Sequence, residues 1–392
     1  MKRFTNALYV FGLSLFVMAH VNCKGKTEKN MNQESMEEPV KSVSISKSEY
    51  GTTKDGKKVD QFILKNDGGI EVDIITYGGR ITSLRTPDKG GNLKNITLGF
   101  DNLELYEGEN PFFGALVGRY GNRIAKGKFS IGEEQYTLAQ NNGENSLHGG
   151  LQGFDKKVWS AETSENENSV SLILTYLSED MEEGFPGNLN TKVTYTLSDD
   201  NSLEVRYEAT TDKATVVNLT QHAYFNLSGD FSTSILDHIV EIEADTYLPV
   251  DGGLIPNGEL RSVKGTPFDF REAKPVGQDI STENEQLQLG GGYDHCWVLN
   301  GEGFRKIASA YHPGTGRYLE VFSDEPGVQF YTGNFLDGTL PAPNNGTYGK
   351  RSGLCLETQH YPDSPNQPDF PSVVLNPGEK YETRTTFKLS TK

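Results

Sequence analysis

Three features of the 392-residue sequence predict an all-β fold, a large antiparallel β-sandwich. Apolar residues recur at every second position in many short runs, which is the period of a strand with one buried face. The 43 glycines exceed the usual share of about 7 % and fall between those runs, where turns need them. No stretch carries the periodicity of an amphipathic helix longer than about three turns, and the strands are not separated by the helices of a βαβ repeat.

At the N-terminus, Lys2 and Arg3 precede an apolar stretch from Ala7 to Ala19. It is too short to span a bilayer as a mature helix and reads as a signal peptide over residues 1–22. Cys23 follows in His20-Val21-Asn22-Cys23, which is similar to a bacterial lipoprotein processing site although His20 and Asn22 depart from its usual residues. A plain cleaved signal is the alternative. Residues 23–45 are polar and predict a tether, so the chain is expected to be exported, as a periplasmic or membrane-anchored lipoprotein with its lipid on Cys23.

The folded domain is expected over residues 46–392. Early strands are predicted around Gln61-Phe62-Ile63-Leu64, Val72-Asp73-Ile74-Ile75 and Ser171 to Tyr176. The clearest hairpin joins Lys192–Leu197 to Leu203–Ala209 through Ser198-Asp199-Asp200-Asn201, with apolar residues at alternate places on both arms. Further strands are predicted over Asp237–Leu248, Lys306–Tyr311, Arg317–Phe322, Gly327–Phe335 and Lys380–Leu389. Cys296 and Cys355 are too few for a disulfide framework and are expected to be buried free thiols.

A net charge of −17 repels phosphate backbones and anionic membranes, so nucleic acid is not an expected partner. The sequence contains no P-loop, dinucleotide fingerprint, Gly-x-Ser-x-Gly elbow, His-Glu-x-x-His helix or EF-hand loop. Its histidines lie on separate segments without metal-ligand spacing, so no metal and no cofactor are expected. Two runs stand out instead: Gln221-His222-Ala223-Tyr224-Phe225-Asn226-Leu227 and Leu354-Cys355-Leu356-Glu357-Thr358-Gln359. Each sets one titratable side chain in an apolar strand, which is how a general acid and a general base are buried. Other polar motifs, Gly118 to Ile124, Asn145 to Gly150, Gly292 to His295 and Gly327 to Asn334, are rich in planar hydrogen-bonding side chains and aromatics that suit a sugar.

Taken in order, these motifs resemble the aldose 1-epimerase family from about residue 46 to residue 390. The resemblance is carried by Asn122-Arg123-Ile124, Leu147-His148-Gly149-Gly150, Gly153 to Trp159, the His222 run, Leu248 to Asp251, Pro267 to Phe270, Tyr293-Asp294-His295, Gln329 to Asn334 and the Glu357 run. It implies a β-supersandwich, one wide two-layered domain with an open cleft on one sheet. It implies that Glu357 is the general base and His222 the general acid, and that Asn122, Arg123, His148, Tyr224, Asp294 and Gln329 bind substrate. The implied partner is a free aldose such as glucose or galactose, whose α and β anomers are interconverted by ring opening and closure, with a monomer as the default assembly. A carboxylate beside His222 is expected to raise the imidazole pKa. A glycosidase using Asp294 with Glu357 and a sugar-binding protein without catalysis are the rival readings.

Overall fold

The computed structural model describes residues 42–392, so the expected signal peptide and Cys23 lie outside the described residues. The first strand, Val43–Thr52, begins ahead of the boundary expected at residue 46. It opens an antiparallel meander that continues through Lys58–Asn66, Glu71–Ile75, Arg80–Pro87 and Leu93–Asn95.

A nine-stranded antiparallel sheet forms the opposing layer, in the order Ser160–Glu165, Ser169–Ser178, Leu189–Ser198, Ser202–Thr211, Tyr381–Thr391, Arg317–Ser323, Arg305–Tyr311, Ile239–Ile242, Lys274–Pro275. The predicted hairpin lies within it, with Leu197 opposite Leu203 and Val193 opposite Tyr207. Val193, Tyr195 and Leu197 are buried while the residues between them are not fully so, because alternate side chains point to opposite faces. The C-terminal strand Tyr381–Thr391 is inserted between Ser202–Thr211 and Arg317–Ser323. It therefore joins strands from the two halves of the chain.

A third sheet orders Arg261–Ser262, Thr246–Leu248, Asp294–Val298, Gly327–Tyr331 and Cys355–Gln359. Phe225 and Leu354 exchange both backbone hydrogen bonds, at 2.7 and 2.9 Å, which lays the short strand Thr220–His222 beside Cys355–Gln359. Thr220–His222 pairs in turn with Ala115–Val117. Leu116 N–H reaches the Gly78 carbonyl and Ile81 N–H the Gly114 carbonyl, so this layer runs on into the N-terminal meander. One apolar cluster contains Leu64 and Ile74 from the meander, Leu172, Tyr195 and Val205 from the nine-stranded sheet, and Trp297, Phe330 and Leu356 from the third. Burial of each such side chain contributes about 1.5–3 kcal/mol.

Two expected strands divide. Asp237–Leu248 becomes Ile239–Ile242 in the nine-stranded sheet and Thr246–Leu248 in the third. Between them Ala244 N–H bonds back to the Ile242 carbonyl at 2.9 Å, a tight turn that carries the chain across the sandwich. Gly327–Phe335 is a strand only to Tyr331. Beyond it Thr332 donates to Asn334 Oδ1, and Asn334 Nδ2 donates to the carbonyls of Gly290 and Tyr293, local bonds that compete with the ladder.

Candidate active site

Alternation along Cys355–Gln359 sends Leu356 into the core and leaves Cys355 and Glu357 on the other face. The adjoining strand ends on His222, whose Nε2 lies 3.6 Å from Glu357 Oε2. Both side chains are buried, at 4 and 3 % exposure. They sit in a cavity of about 700 Å³, and Glu357 Oε2 has no hydrogen-bond partner of its own. The His222 ring is stacked on Tyr224, with centroids 5.0 Å apart, and lies nearly parallel to Phe112 at 5.9 Å. Its Nδ1 is 3.6 Å from Cys355 Sγ.

On the third sheet Glu357 is opposite Gln329, and Asp294 is opposite Tyr331. Gln329 Nε2 donates to Asp294 Oδ1 at 2.7 Å and so fixes the carboxylate. The other wall is built where Arg123–Ile124 pairs with Ser146–Leu147. Asn122 adopts a left-handed φ of 60°, which asparagine tolerates better than most residues, and its Oδ1 accepts the Arg123 N–H at 2.9 Å. Arg123 Nε donates to Asn142 Oδ1 at 3.0 Å. His148 and Asn122 are tied twice, by His148 N–H to the Asn122 carbonyl and by Asn122 N–H to His148 Nδ1. The chain then turns sharply at Gly149, where φ is +87° and a Cβ would lie 1.9 Å from the Gly118 carbonyl oxygen.

The cavity thus gathers Asn122, Arg123, His148, His222, Tyr224, Asp294 and Glu357 from segments distant in sequence. Gln329 does not border it and stands behind Asp294. The aldose 1-epimerase family profile matches residues 60–388. The chain is 47 % identical to galactose mutarotase of Bos taurus over 350 residues, covering 89 % of this chain and 99 % of that protein. It is 40 % identical to aldose 1-epimerase of Escherichia coli K12, with 86 and 96 % covered. Among solved structures, galactose 1-epimerase from Lactobacillus acidophilus NCFM superposes with a TM-score of 0.80 at 31 % identity, over 89 % of this chain and 99 % of that one.

The chain belongs to the aldose 1-epimerase family.

The electrostatics of this aldose 1-epimerase site differ from expectation at one point. The carboxylate does not raise the imidazole: burial, helped by the charge of Arg80, pushes His222 down to about 3, because a desolvated cation is costly. Burial and the neighbouring Asp294 hold Glu357 well above the usual carboxylate range, against the pull of Arg123. Asp294 is itself raised by burial, opposed by Arg123 and by its bond from Gln329.

Spacing in the sequence did not anticipate two convergences of ligand-type residues, His148 with His222 and Glu357, and Asp237 with His238 and His312. Neither is free to hold an ion without losing a bond. A neutral imidazole has one lone pair, and that of His148 is taken by the Asn122 N–H, that of His238 by the Leu227 N–H at 2.9 Å. Sequence reading also passed over Phe112, Asn142 and Phe335, which line the cavity, and placed Tyr331 only within a sugar-suited motif. A left-handed φ of 62° at Phe112 sets that residue apart, a property invisible in residue type. Cys296 and Cys355 are buried free thiols.

Proposed function

We propose that Glu357 and His222 perform, as proton acceptor and proton donor, the anomer interconversion that family membership assigns to this isomerase. The observation that carries this reading is their 3.6 Å approach at the floor of the cavity. The anomeric hydroxyl and the ring oxygen of an aldose share one carbon, so two groups this close can serve both oxygens at once. Ionised Glu357 takes the anomeric proton, protonated His222 supplies one to the ring oxygen, and the bond from the anomeric carbon to the ring oxygen breaks. Rotation of the open-chain aldehyde presents its other face. Closure returns both protons, leaving the protein unchanged.

Both pKa shifts drive the opening step. A raised Glu357 is the stronger base and a lowered His222 the stronger acid, so burial favours the neutral pair that accompanies the open-chain aldehyde. Substrate hydroxyls entering the cavity support the ion pair before transfer. His148, with its proton on Nε2, is a donor toward a sugar oxygen. Asn122, Arg123, Tyr224 and Asp294 complete the binding surface, and Gln329 acts by holding Asp294.

Polarimetry on Glu357→Gln and His222→Asn with fresh α-glucose or α-galactose tests the pair. Each positioned acid or base contributes about 10²–10⁴-fold, so each variant should lose that much turnover. A near-normal rate in either one removes that residue from the mechanism. The same two variants, assayed for reducing ends released from oligosaccharides, address the glycosidase alternative.

The sequence supports a finer reading of the cellular setting: export on the segment before Cys23 and a lipid on that residue, with a monomer as the working unit because one chain supplies the whole cavity. Partition of the full-length protein into detergent, lost in Cys23→Ala, is the expected result for the lipid.

A further inference from the structure

An imidazole that gives a proton through Nε2 and then recovers it must keep its other proton on Nδ1 throughout. Only that tautomer leaves the lone pair on Nε2, facing the substrate. Something has to accept the Nδ1 proton inside a buried site. We infer that Cys355 is a positioning residue for His222, its neutral sulfur accepting from Nδ1–H and thereby selecting the tautomer that opens and closes the sugar ring. The inference rests on the acid role proposed for His222 above.

The geometry supplies the grounds. Cys355 Sγ lies 3.6 Å from His222 Nδ1, with both residues buried. Cys355 and Glu357 are two positions apart on one strand and so share a face, and His222 on the adjoining strand meets both. Its Nδ1 points at the first and its Nε2 at the second. The ring's own backbone, an acceptor at its carbonyl, also favours the protonated imidazole. Near-parallel rings at Tyr224 and Phe112 pack against the imidazole, whose two nitrogens meet Cys355 and Glu357.

The choice of sulfur has a chemical consequence. A carboxylate at Nδ1 stabilises the imidazolium and makes a better base. A thiol is a weak acceptor, so it orients the ring without stabilising the cation, and His222 remains a strong acid. The thiol stays neutral because burial, together with the charges of Glu357 and Asp294, holds its ionisation well above the ordinary range. The other polar or charged groups facing His222 are Glu357 at Nε2, the His148 ring at 5.2 Å, Tyr224, and Arg80 acting through its charge. None of these is placed at Nδ1, where, among the described residues, the only other acceptor beside Cys355 is the ring's own carbonyl oxygen.

The test compares Cys355→Ala, Cys355→Ser and a control, Cys296→Ala, which removes a buried thiol whose partner is the Trp297 carbonyl. Steady-state mutarotation should show kcat about tenfold lower in Cys355→Ala, the low end of the about 10–100-fold that orienting partners of metal-bound histidines contribute, with KM within twofold. In the same variant, nitrogen-15 spectra of His222 should lose the Nδ1–H signature. Cys355→Ser restores a better acceptor, so it should recover kcat and move the acid limb of the pH profile to higher pH. Cys296→Ala should match the parent. Wild-type kcat with an unchanged tautomer in Cys355→Ala overturns the inference, as does an unmoved acid limb in Cys355→Ser, which also covers an alanine variant that fails to fold. If His222→Asn is itself fully active, the acid assignment fails, whatever Cys355 does.

Discussion

At the scale of single residues, the proposed acid and base, His222 and Glu357, stand 3.6 Å apart in a buried place and in those roles share one mobile proton. Adding a second proton gives the pair a net positive charge, and removing the only one gives a net negative charge. Burial opposes both. The sign follows directly: His222, lowered to about 3, moves the acid limb down, and Glu357, raised by burial and by Asp294, moves the alkaline limb up. Ordinary glutamate and histidine would titrate near 4.3 and 6.5 and give a narrow bell between those values. The expected kcat/KM profile instead has its acid limb below the ordinary glutamate value and its alkaline limb raised with Glu357, and the two apparent constants belong to the pair rather than to either residue. An acid limb at about 4.3 together with an alkaline limb at about 6.5 would mean that both groups titrate as exposed side chains, against the effect of burial.

At the scale of elements, the site depends on how strands are tied to loops. Arg80, on the strand Arg80–Pro87, is fully buried and donates to the Phe113 carbonyl at 2.9 Å and to the carbonyl and side chain of Asp155. It therefore fixes the segment bearing Phe112 against the turn Phe154–Lys156. Removing one partner of a buried pair costs about 3–5 kcal/mol because the other charge is stranded. Asp155→Leu should lower the free energy of unfolding by that amount, seen as a lower denaturant midpoint with an unchanged m-value, and activity should fall less than in Glu357→Gln. An unaltered midpoint would show that the pair carries no stability. The same scale marks what could be read in the sequence. The hairpin Leu189–Ser198 with Ser202–Thr211 was legible because its alternation and its turn lie within one short stretch. The exchange of bonds between Phe225 and Leu354, which brings His222 to Glu357, joins segments far apart in the chain and leaves no local period. Their meeting was implied by family resemblance alone, as was the place of Asp294. The supporting role of Gln329 and the stacking of Phe112 depend on side-chain direction and on a left-handed backbone, which residue type does not encode.

At the scale of the whole molecule, the two layers share one apolar cluster and the C-terminal strand closes the larger sheet, so the cavity floor is backed by the full sandwich rather than by a mobile loop. That rigidity suits a reaction in which two proton transfers must find both oxygens at once. The charge of −17 also bears on the substrate. Of the charged residues lining the cavity, Glu144, Asp251 and Lys126 are exposed, so the entrance adds acidic groups to an acidic surface. A neutral aldose feels no net steering in that field, whereas an anionic sugar is repelled until salt screens the charges. Between about 0.01 M and about 1 M salt the Debye length falls from about 30 to about 3 Å. Over that span kcat/KM for glucose should stay constant, while kcat/KM for a uronic acid, lower at the outset, should rise. A strong salt dependence with the neutral sugar would show that charge takes part in its capture, and an anionic group would then have to be sought in the true substrate.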